Sequence, residues 1–413
     1  SWDEEYLQSD RLELYYQHTE ELIRKNGAYV CECIPGDFKR LVEASRACPC
    51  RNATVDENLA RWKRMLGGEY AEGEAVVRVR TDLDHPNPAV RDWPALRVID
   101  TVKYPHPRVG SKYLVWPLYN LACGVDDHLM EISHVIRGKE HLTNTERQKY
   151  LYRHLGWDYP DAIHYGRLHL TGVELSKSKM MRLLEEGVYE DLSDPRLGTL
   201  MALRRRGISP QALRAVVYEV GPRPVDATIS WENIYAANRK IIDPAARRFF
   251  FIDRPLPVMV SGVKESRTAR IPFHPDNPEM GSRQMTANAT DGKCRILVSI
   301  GDLSILKPGA VVRLMDLFNF TVNQVNQVGV TGELHSETYS EARRVNAQLI
   351  QWLPEQQNCK ASVMMPTAEK IEGLSETALL SCDVDEVIQF VRFGFVRLDT
   401  VAQDSVALYF AHR

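Results

Sequence analysis

No run of apolar residues in this 413-residue sequence approaches the ~20 residues that a membrane-spanning helix needs. No signal-peptide pattern stands at its first residues, and we expect a cytoplasmic protein. No segment repeats, which argues against a solenoid. The sequence also lacks a strong charge of one sign: the net charge is −3. Any surface that binds nucleic acid must therefore be a local patch.

A secreted disulfide framework is absent as well, although the chain has eight cysteines. Four of them form two pairs, Cys31-Glu-Cys33 and Cys48-Pro-Cys50, with fourteen residues between the pairs. Four thiolates are the ligand set of a structural zinc ion, although the ligands of a pair are usually separated by two to four residues and here by one. Reduced core cysteines are the alternative. The clustering favours zinc bound by Cys31, Cys33, Cys48 and Cys50.

Hydrophobic periodicity and breakers predict alternating helices and strands in the first part of the chain. Helices are predicted at residues 9–26, 57–65, 118–127 and 143–155, strands at 28–33, 75–80, 112–117 and 162–169, a short buried strand at 132–137, and an irregular stretch at 84–107. Strand, helix and strand in this order are typical of an α/β fold with a parallel sheet. Ligands of such sheets bind at the carboxyl ends of the strands.

Two polar features follow predicted strands and are candidates for such a site. Arg137 ends the buried strand, where a guanidinium is costly unless it meets an anion; a carboxylate ligand and an ion pair within the protein are the two interpretations. Residues 172–179 read Gly-Val-Glu-Leu-Ser-Lys-Ser-Lys. Two lysines on such a loop suit a polyphosphate, and the alternative is a solvated turn with Ser176 or Ser178 as the N-cap of a helix that begins near Met180.

The second part of the chain divides into a helical and an all-β region. Residues 180–251 are predicted to be helical, and 196–248 hold ten basic and four acidic residues, an excess of six positive charges. This excess suits a phosphate-backbone surface, although a solvated helix face is the common alternative. After a boundary near Arg254, short strands broken by Gly, Pro, Asn and Asp predict about 160 residues of all-β structure, enough for two barrels.

Several blocks in a fixed order resemble the archaeal-type glutamyl-tRNA synthetases, of the glutamyl/glutaminyl branch of class I. Glu174-Leu-Ser-Lys-Ser178 resembles the KMSKS signature, with Glu174 in place of the first lysine. The other blocks are Trp116-Pro-Leu-Tyr119, Val125-Asp-Asp-His128, Ser133-His-Val-Ile-Arg-Gly-Lys-Glu-His141, Asn144-Thr-Glu-Arg147, Asp194-Pro-Arg-Leu197, Ala202-Leu-Arg-Arg-Arg-Gly207 and Pro278-Glu-Met-Gly-Ser-Arg283.

The resemblance implies a multidomain α/β plus all-β architecture. Residues 1–27 would end the first half of a split Rossmann-type nucleotide-binding domain, 28–110 would form an inserted acceptor-binding domain with a zinc site, and 111–180 the second Rossmann half with the KMSKS-like loop. Residues 181–254 would form a helical stem-contact domain, and 255–413 two anticodon-binding β-barrels.

The resemblance also implies roles for single residues. Tyr119, Arg137 and His141 would bind the amino acid, with Arg137 on its side-chain carboxylate. The adenine of ATP would lie on the main chain of Arg167 and Leu168, and its phosphates on Ser176, Lys177 and Ser178. Lys177, supported by Lys179, would be the catalytic cation on the leaving pyrophosphate, together with Mg²⁺. Arg283 and the run Arg204, Arg205 and Arg206 would contact tRNA. The four clustered cysteines would hold structural Zn²⁺.

The sequence departs from the family in one respect. The family's second signature, the histidine-rich HIGH motif, is absent, because no histidine stands in a His-x-Gly-His context. We expect that the sequence given lacks about the first quarter of the enzyme, and that residues 1–413 alone do not adenylate an amino acid.

The expected reaction is ATP-dependent activation of glutamate, followed by its transfer to the 3′-terminal adenosine of tRNA(Glu). A glutaminyl enzyme is the first alternative. Arg137 favours glutamate over it, and so does Ala162, a methyl group where the glutaminyl branch has a polar side chain. A non-catalytic tRNA-binding relic is the second alternative, and a zinc-bearing structural protein, which does not explain the ordered blocks, is the third. Charging of tRNA(Gln) as well, with a partner amidotransferase to convert the product, stays open.

Overall fold

The computed structural model describes residues 2–173, 175–326 and 328–413. The chain forms two compact units, one of residues 1–167 with 222–226, and one of residues 168–221 with 227–413. No helix in the described ranges is both long and apolar enough to cross a bilayer.

The first unit contains five helices and six strands among its described residues. The helices are α1 (Leu12–Arg24), α2 (Pro35–Glu43), α3 (Val55–Leu66), α4 (Tyr119–Leu129) and α5 (Leu142–Leu155), and the strands are β1 (Ala28–Cys31), β2 (Val76–Val79), β3 (Pro94–Val98), β4 (Val115–Pro117), β5 (His134–Gly138) and β6 (Asp161–Tyr165). Strands β1 to β4 form an antiparallel sheet in chain order, and β5 pairs with β6 in parallel.

One core joins this four-stranded sheet to four of the five helices, whereas α2 packs in a separate buried cluster with Tyr29, Cys31 and Cys48. Leu22 of α1, Trp62 of α3, Leu121 of α4 and Leu151 of α5 pack in a single buried cluster with the sheet residue Val77. The helices form here because their apolar residues recur at helical spacing and so line one face. The predicted inserted domain (28–110) thus shares its core with the segments before and after it.

Two predictions for this unit are wrong. The stretch at 84–107, predicted to be irregular, contains β3, which lies in the middle of the sheet. The strand at 132–137, predicted to be buried, is mostly half-buried or exposed in β5, and Ile136 is 63% exposed. Only Arg137 is buried in it, because β5 has a single strand neighbour among the described residues and α5 covers one face.

The described part of the second unit begins with a helical segment and continues as β-structure. The helices are α6 (Lys177–Glu185), α7 (Leu200–Arg205), α8 (Pro210–Val220), α9 (Trp231–Ile242) and α10 (Tyr339–Arg344). The first strands are β7 (Leu168–Leu170) and β8 (Ala227–Ile229), which pair in parallel. Serine and threonine N-caps fix the starts of α7, α8 and α9, where Thr199, Ser209 and Ser230 each accept a main-chain N–H of the first turn.

Seventeen strands follow among the described residues. They are β9 (Arg248–Phe249), β10 (Phe251–Asp253), β11 (Pro255–Ser261), β12 (Arg267–Pro272), β13 (Ser282–Ala287), β14 (Ala289–Thr290), β15 (Lys293–Ser299), β16 (Val311–Leu314), β17 (Asn319–Asn326), β18 (Gly329–Ser336), β19 (Gln348–Ile350), β20 (Leu353–Pro354), β21 (Asn358–Met364), β22 (Lys370–Glu376), β23 (Val387–Phe390), β24 (Gly394–Val401) and β25 (Ser405–His412).

Two of the sheets are closed. One has the order β10-β22-β21-β25-β24-β23-β9, and its two end strands are separated in the chain only by Phe250, so the sheet curves back on itself. The other has the order β14-β15-β11-β18-β17-β16-β19, and β20, which follows β19 closely, returns to pair with β15. Closure removes the free edges of a sheet, as in a barrel. Strands β12 and β13 form a separate hairpin.

The helical prediction for residues 180–251 is wrong at β8 and β9. Phe249, Phe250 and Phe251 are all buried, since successive side chains of an extended segment point to opposite sides and both sides are covered here. A continuous apolar run of this length fits a buried strand as well as a buried helix.

Candidate functional site

The side chain of Arg137 is the floor of a polar niche in the first unit. Its Nη2 group donates to Thr145 Oγ1 at 2.5 Å, Gln148 Oε1 at 2.9 Å and Tyr159 OH at 3.0 Å. Its Nη1 group lies 3.4 Å from the hydroxyl oxygen of Tyr119. Alternation along β5 turns Arg137 toward α5, where Thr145 and Gln148 lie almost one turn apart.

The guanidinium of Arg137 has no carboxylate partner within 4.0 Å among the described residues, although its residue is only 8% exposed. Its Nε atom is buried and has no hydrogen-bond partner there. Asp127 interacts with Arg137 electrostatically without forming an ion pair. Burial raises the pKa of Asp127, and the charge of Arg137 offsets only part of this effect. The positive charge of Arg137 is thus left for a ligand, and the ion-pair interpretation finds no support.

The rim of the niche is aromatic and more accessible. Tyr119, the first residue of α4, is 46% exposed, and its ring lies 5.4 Å from the ring of His141. His164 bonds Thr145 Oγ1 through Nε2 at 2.9 Å; burial, and then the charge of Arg137, lower its pKa. The structure therefore brings together the three predicted substrate residues, Tyr119, Arg137 and His141, in a cationic niche.

Three residues that hold Arg137 were missed by the sequence analysis: Thr145, Gln148 and Tyr159. Thr145 and Gln148 lie at inward positions of α5 and are buried. The sequence indicates this only weakly, because polar residues at inward positions do not differ in type from exposed ones. Beside the niche, Thr145, Tyr159 and His164 also line an open cavity of about 670 Å³ together with Ala162, the residue expected to separate the two branches.

The main chain that was predicted to hold adenine is already partly bonded. The N–H group of Arg167 donates to Asp226 Oδ1 at 2.7 Å, and the N–H group of Gly166 donates to the carbonyl oxygen of Arg223 at 2.7 Å. Leu168 begins β7 of the second unit, where it pairs with Ala227. A base that reads the N–H group of Arg167 has to displace Asp226.

The lysines of the predicted phosphate loop lie on a helix rather than on a loop. Helix α6 begins at Lys177 directly after its N-cap residue Ser176, three residues earlier than predicted, so Ser178 and Lys179 lie in its first turn. Lys177, Ser178 and Lys179 are all exposed. Glu174, the substituted first position of the motif, lies outside the described residues.

This placement has an electrostatic consequence. The first turn of a helix already carries partial positive charge on its unpaired N–H groups, so lysines there are unfavourable unless an anion is near. The same N–H groups and charges suit a phosphate group. The position of Lys177 thus fits the predicted phosphate site.

The four clustered cysteines come together at the end of β1. Their Sγ atoms all lie within 4.8 Å of one another, and none is in a disulfide. Cys31 and Cys48 are 3.9 Å apart at Sγ, and Cys33 and Cys50 are 3.7 Å apart. The hydrogen bond between Cys31 and Cys48 lowers the pKa of Cys48. Burial of Cys48 opposes this effect, and the hydrogen bond with Tyr29 lowers the pKa further.

Two of the predicted tRNA contacts have side chains that lie inside the second unit. Arg206 is 1% exposed, and its Nη2 group donates to the carbonyl oxygen of Ala411 at 2.9 Å and to Tyr235 OH at 2.7 Å. Arg283 is 5% exposed and forms a two-point ion pair with Glu376. Neither guanidinium faces solvent.

The neighbours of Arg206 differ from it in accessibility. Arg204 is exposed. The side chain of Arg205 is 25% exposed; it donates to Ser193 Oγ at 2.7 Å and lies 3.7 Å from a carboxylate oxygen of Asp399. Of the predicted arginine run, only Arg204 is therefore fully turned to solvent.

The comparisons with known proteins agree with this architecture. The family described as tRNA synthetases class I (E and Q), catalytic domain, matches residues 1–244, and two anticodon-binding domains of the same family match 246–338 and 349–399.

Curated relatives match over the whole chain. A "Glutamate--tRNA ligase" from Thermococcus kodakarensis and one from Pyrococcus furiosus are each 49% identical over 100% of this chain and 71% of their own length. One from Methanopyrus kandleri is 46% identical over 99% of this chain and 71% of its own length. The chain belongs to the class I tRNA synthetases of the E and Q family, with a catalytic domain followed by β-rich anticodon-binding domains.

Proposed function

We propose that this chain functions in glutamate–tRNA ligation, in which glutamate is activated with ATP and transferred to tRNA(Glu). The observation that carries the amino-acid assignment is the buried guanidinium of Arg137, which has neutral partners on one side and no carboxylate within ion-pair distance among the described residues. The family assignment supplies the reaction class, and the names of the relatives support glutamate as its amino acid.

The niche favours glutamate over glutamine on charge. A glutamate side chain brings a carboxylate that accepts N–H bonds from Arg137 and neutralises its charge. A glutamine amide brings no charge and places two N–H donors where the niche is already cationic. The buried guanidinium would then stay uncompensated, which is costly. Tyr119 and His141 at the rim suit the rest of the substrate. The glutaminyl alternative has no observation in its favour.

The chemistry needs positioning and charge stabilisation more than a covalent group from the protein. An oxygen of the glutamate α-carboxylate attacks the α-phosphorus of ATP, the bond from that phosphorus to the bridging oxygen breaks, and pyrophosphate leaves with the electron pair. Lys177, with Lys179 beside it, stabilises the charge on the leaving group, and Mg²⁺ accompanies the nucleotide. The tRNA's terminal ribose hydroxyl then displaces AMP from the glutamyl-adenylate.

Structural zinc on Cys31, Cys33, Cys48 and Cys50 belongs to the same proposal, and the donor set fits it. Four ligands at the usual Zn–S length of about 2.3 Å place tetrahedral sulfurs about 3.8 Å apart. The separations of 3.9 Å between Cys31 and Cys48 and 3.7 Å between Cys33 and Cys50 are close to that value. The main-chain N–H group of Glu32 also donates to Cys50 Sγ at 3.4 Å, a bond that suits a thiolate. The ion would hold two segments of the predicted acceptor-binding domain together.

The domain roles expected from the resemblance remain part of this proposal, with Arg204 and Arg205 as tRNA contacts and the closed sheets as anticodon-binding barrels. Charging of tRNA(Gln), with an amidotransferase as partner, is a further possibility that charging assays on both tRNAs decide.

The test of the amino-acid assignment is Arg137→Gln in the gene product that contains this chain. Losing one partner of a buried charge pair costs about 2–5 kcal/mol, so kcat/KM for glutamate in ATP–pyrophosphate exchange should fall roughly 30-fold to several thousandfold. Arg153→Gln is the matched control, since Arg153 is an exposed arginine on the same helix that holds Arg137. A loss under about threefold for Arg137→Gln in a folded protein would remove the basis of the assignment.

A further inference from the structure

A buried carboxylate next to the cysteine cluster is bonded on every side. Asp92 is 1% exposed. Its Oδ1 atom accepts from the N–H group of Thr81 at 2.9 Å and from Thr81 Oγ1 at 3.4 Å. Its Oδ2 atom accepts from Tyr29 OH at 2.9 Å and from Arg51 Nε at 2.8 Å. Four donors from three segments of the chain thus converge on one side chain.

Two of these donors belong to the segments that carry the cysteines. Tyr29 lies on β1 two residues before Cys31, so both side chains point to the same side of the strand. Its hydroxyl oxygen is 3.5 Å from Cys48 Sγ. Arg51 directly follows Cys50 in the short turn that carries the second cysteine pair.

Thr81 forms two further hydrogen bonds with these residues. Arg51 also donates from Nη2 to the carbonyl oxygen of Thr81 at 2.7 Å, and the N–H group of Asp92 donates to Thr81 Oγ1 at 2.7 Å. Asp92 itself adopts a left-handed backbone conformation, with φ of 38°. A side chain that is held in such a conformation, and whose oxygens are all used, has little freedom to move.

We propose that Asp92 is the positioning residue of the four-cysteine centre. Through Tyr29 and Arg51 it fixes the turn of Cys48 and Cys50 against the strand of Cys31, so that the thiols are gathered before a thiophilic divalent cation binds. The inference rests on the zinc site of the proposed function. Groups that orient metal ligands commonly change affinity 10- to 100-fold when they are replaced.

The hydrogen bonds of Asp92 indicate a role in positioning the cysteines rather than a purely stabilising ion pair. An ordinary buried ion pair would need only Arg51 and Asp92. Here the same carboxylate oxygen also accepts from the tyrosine that touches Cys48, and both partners lie within two residues of a cysteine. Loss of the carboxylate should therefore loosen the cysteine turn first.

The test measures zinc affinity in the full chain with a competing chromophoric chelator, for the wild type and for Asp92→Asn. Asparagine tolerates the left-handed conformation but keeps only one acceptor oxygen, so it leaves at least one pair of donors unsatisfied. Asp302→Asn is the matched control, because Asp302 is a buried aspartate paired with Arg392 in the second unit. Tyr29→Phe removes a single hydroxyl group, and it replaces Asp92→Asn as the test variant if Asp92→Asn does not fold.

We expect one zinc ion per chain in the wild type and in both aspartate variants, with the dissociation constant of Asp92→Asn raised about 10- to 100-fold and that of Asp302→Asn unchanged. Tyr29→Phe should shift in the same direction by less, and at least about threefold. The thiolate-to-metal absorption of the cobalt(II)-substituted protein should show four thiolates throughout.

The possible failures are distinguishable. An affinity of Asp92→Asn within about threefold of the wild type, or an equal loss in Asp302→Asn, overturns the positioning role and leaves the zinc site in place. If Asp92→Asn does not fold, an unchanged affinity in Tyr29→Phe overturns it. A wild type that binds neither zinc nor cobalt removes the metal assignment and this inference together.

Discussion

Replacing Arg283 by methionine removes the cation from a buried ion pair of the second unit. Arg283 Nε donates to Glu376 Oε2 at 2.5 Å and Nη2 donates to Oε1 at 2.8 Å, and the side chains are 4% and 1% exposed. A third group, Nη1, donates to the carbonyl oxygen of Pro272 at 2.6 Å. The resemblance implied that Arg283 contacts the anticodon. In the structure, its ion pair with Glu376 links β13 to β22.

Arg283→Met should lower the stability of the second unit, because the carboxylate of Glu376 stays buried without its partner. Breaking a buried pair by removing one partner costs about 3–5 kcal/mol, because the other charge stays buried and uncompensated. Replacing both partners with uncharged groups of similar volume is often close to neutral. In Arg283→Met/Glu376→Gln, the glutamine oxygen can still accept the N–H group of Phe250, which now bonds Glu376 Oε1 at 2.6 Å. We therefore expect the double variant to recover most of the stability.

Hydrogen exchange of the β13 and β22 amides is the appropriate assay, since a chain of two units does not give one two-state unfolding transition. A loss of 3–5 kcal/mol corresponds to exchange that is roughly a hundredfold to several thousandfold faster. Arg270→Met is the control, because Arg270 is an exposed arginine of the same hairpin that bonds only Ser282 Oγ among the described residues. If Arg283→Met left exchange within about fivefold of the wild type and instead weakened tRNA binding, the ion-pair argument would be refuted.

Four further predictions concern single residues. Arg204→Ala should weaken tRNA binding and reduce the slope of log affinity against log salt by about 1, whereas Arg206→Ala should lower the thermal midpoint of the second unit; filter binding over a salt series and thermal unfolding separate the two. Burial lowers the pKa of His412. The unfolded chain then takes up a proton at a higher pH than the folded one, so the unfolding free energy should fall as pH drops below about 6.5, and less so in His412→Gln. A chelator should lower the thermal midpoint of the first unit in the wild type but not in Cys48→Ser, and equal midpoints with and without chelator in the wild type would speak against a structural metal. Lys177→Ala should lose far more ATP–pyrophosphate exchange than tRNA affinity, and exchange that survived within about a few-fold would contradict its role.

The sequence allowed the helices and strands around Arg137 to be predicted because their periodicity is local. Helix α5 begins within one residue of its predicted start and ends where predicted, and the parallel pairing of β5 with β6 fits the strand–helix–strand order. The cysteine cluster was predictable for a similar reason, since two close pairs in one short stretch need only a single turn to meet. The niche around Arg137 was predicted only in part, because the inward polar positions of α5 do not differ in type from exposed ones.

Burial of arginine was not predictable, and it places two of the predicted tRNA-binding residues away from solvent. Arg206 finds carbonyl acceptors at Phe410 and Ala411, more than two hundred positions away, and Arg283 finds its carboxylate at Glu376. A run of basic residues looks the same whether its guanidiniums face solvent or distant carbonyl groups. The early start of α6 was missed because a lysine at a helix N-terminus opposes the local rules that place acidic residues there.

The glutamate assignment is tested most directly by aminoacylation by the wild-type gene product with glutamate and with glutamine as competing substrates. A niche built to pair a buried guanidinium with a carboxylate should reject the neutral amide by about 10⁴-fold or more in kcat/KM on tRNA(Glu). We expect such a ratio in favour of glutamate. Charging of glutamine at a comparable kcat/KM would contradict the role of Arg137 and with it the assignment as a glutamate–tRNA ligase.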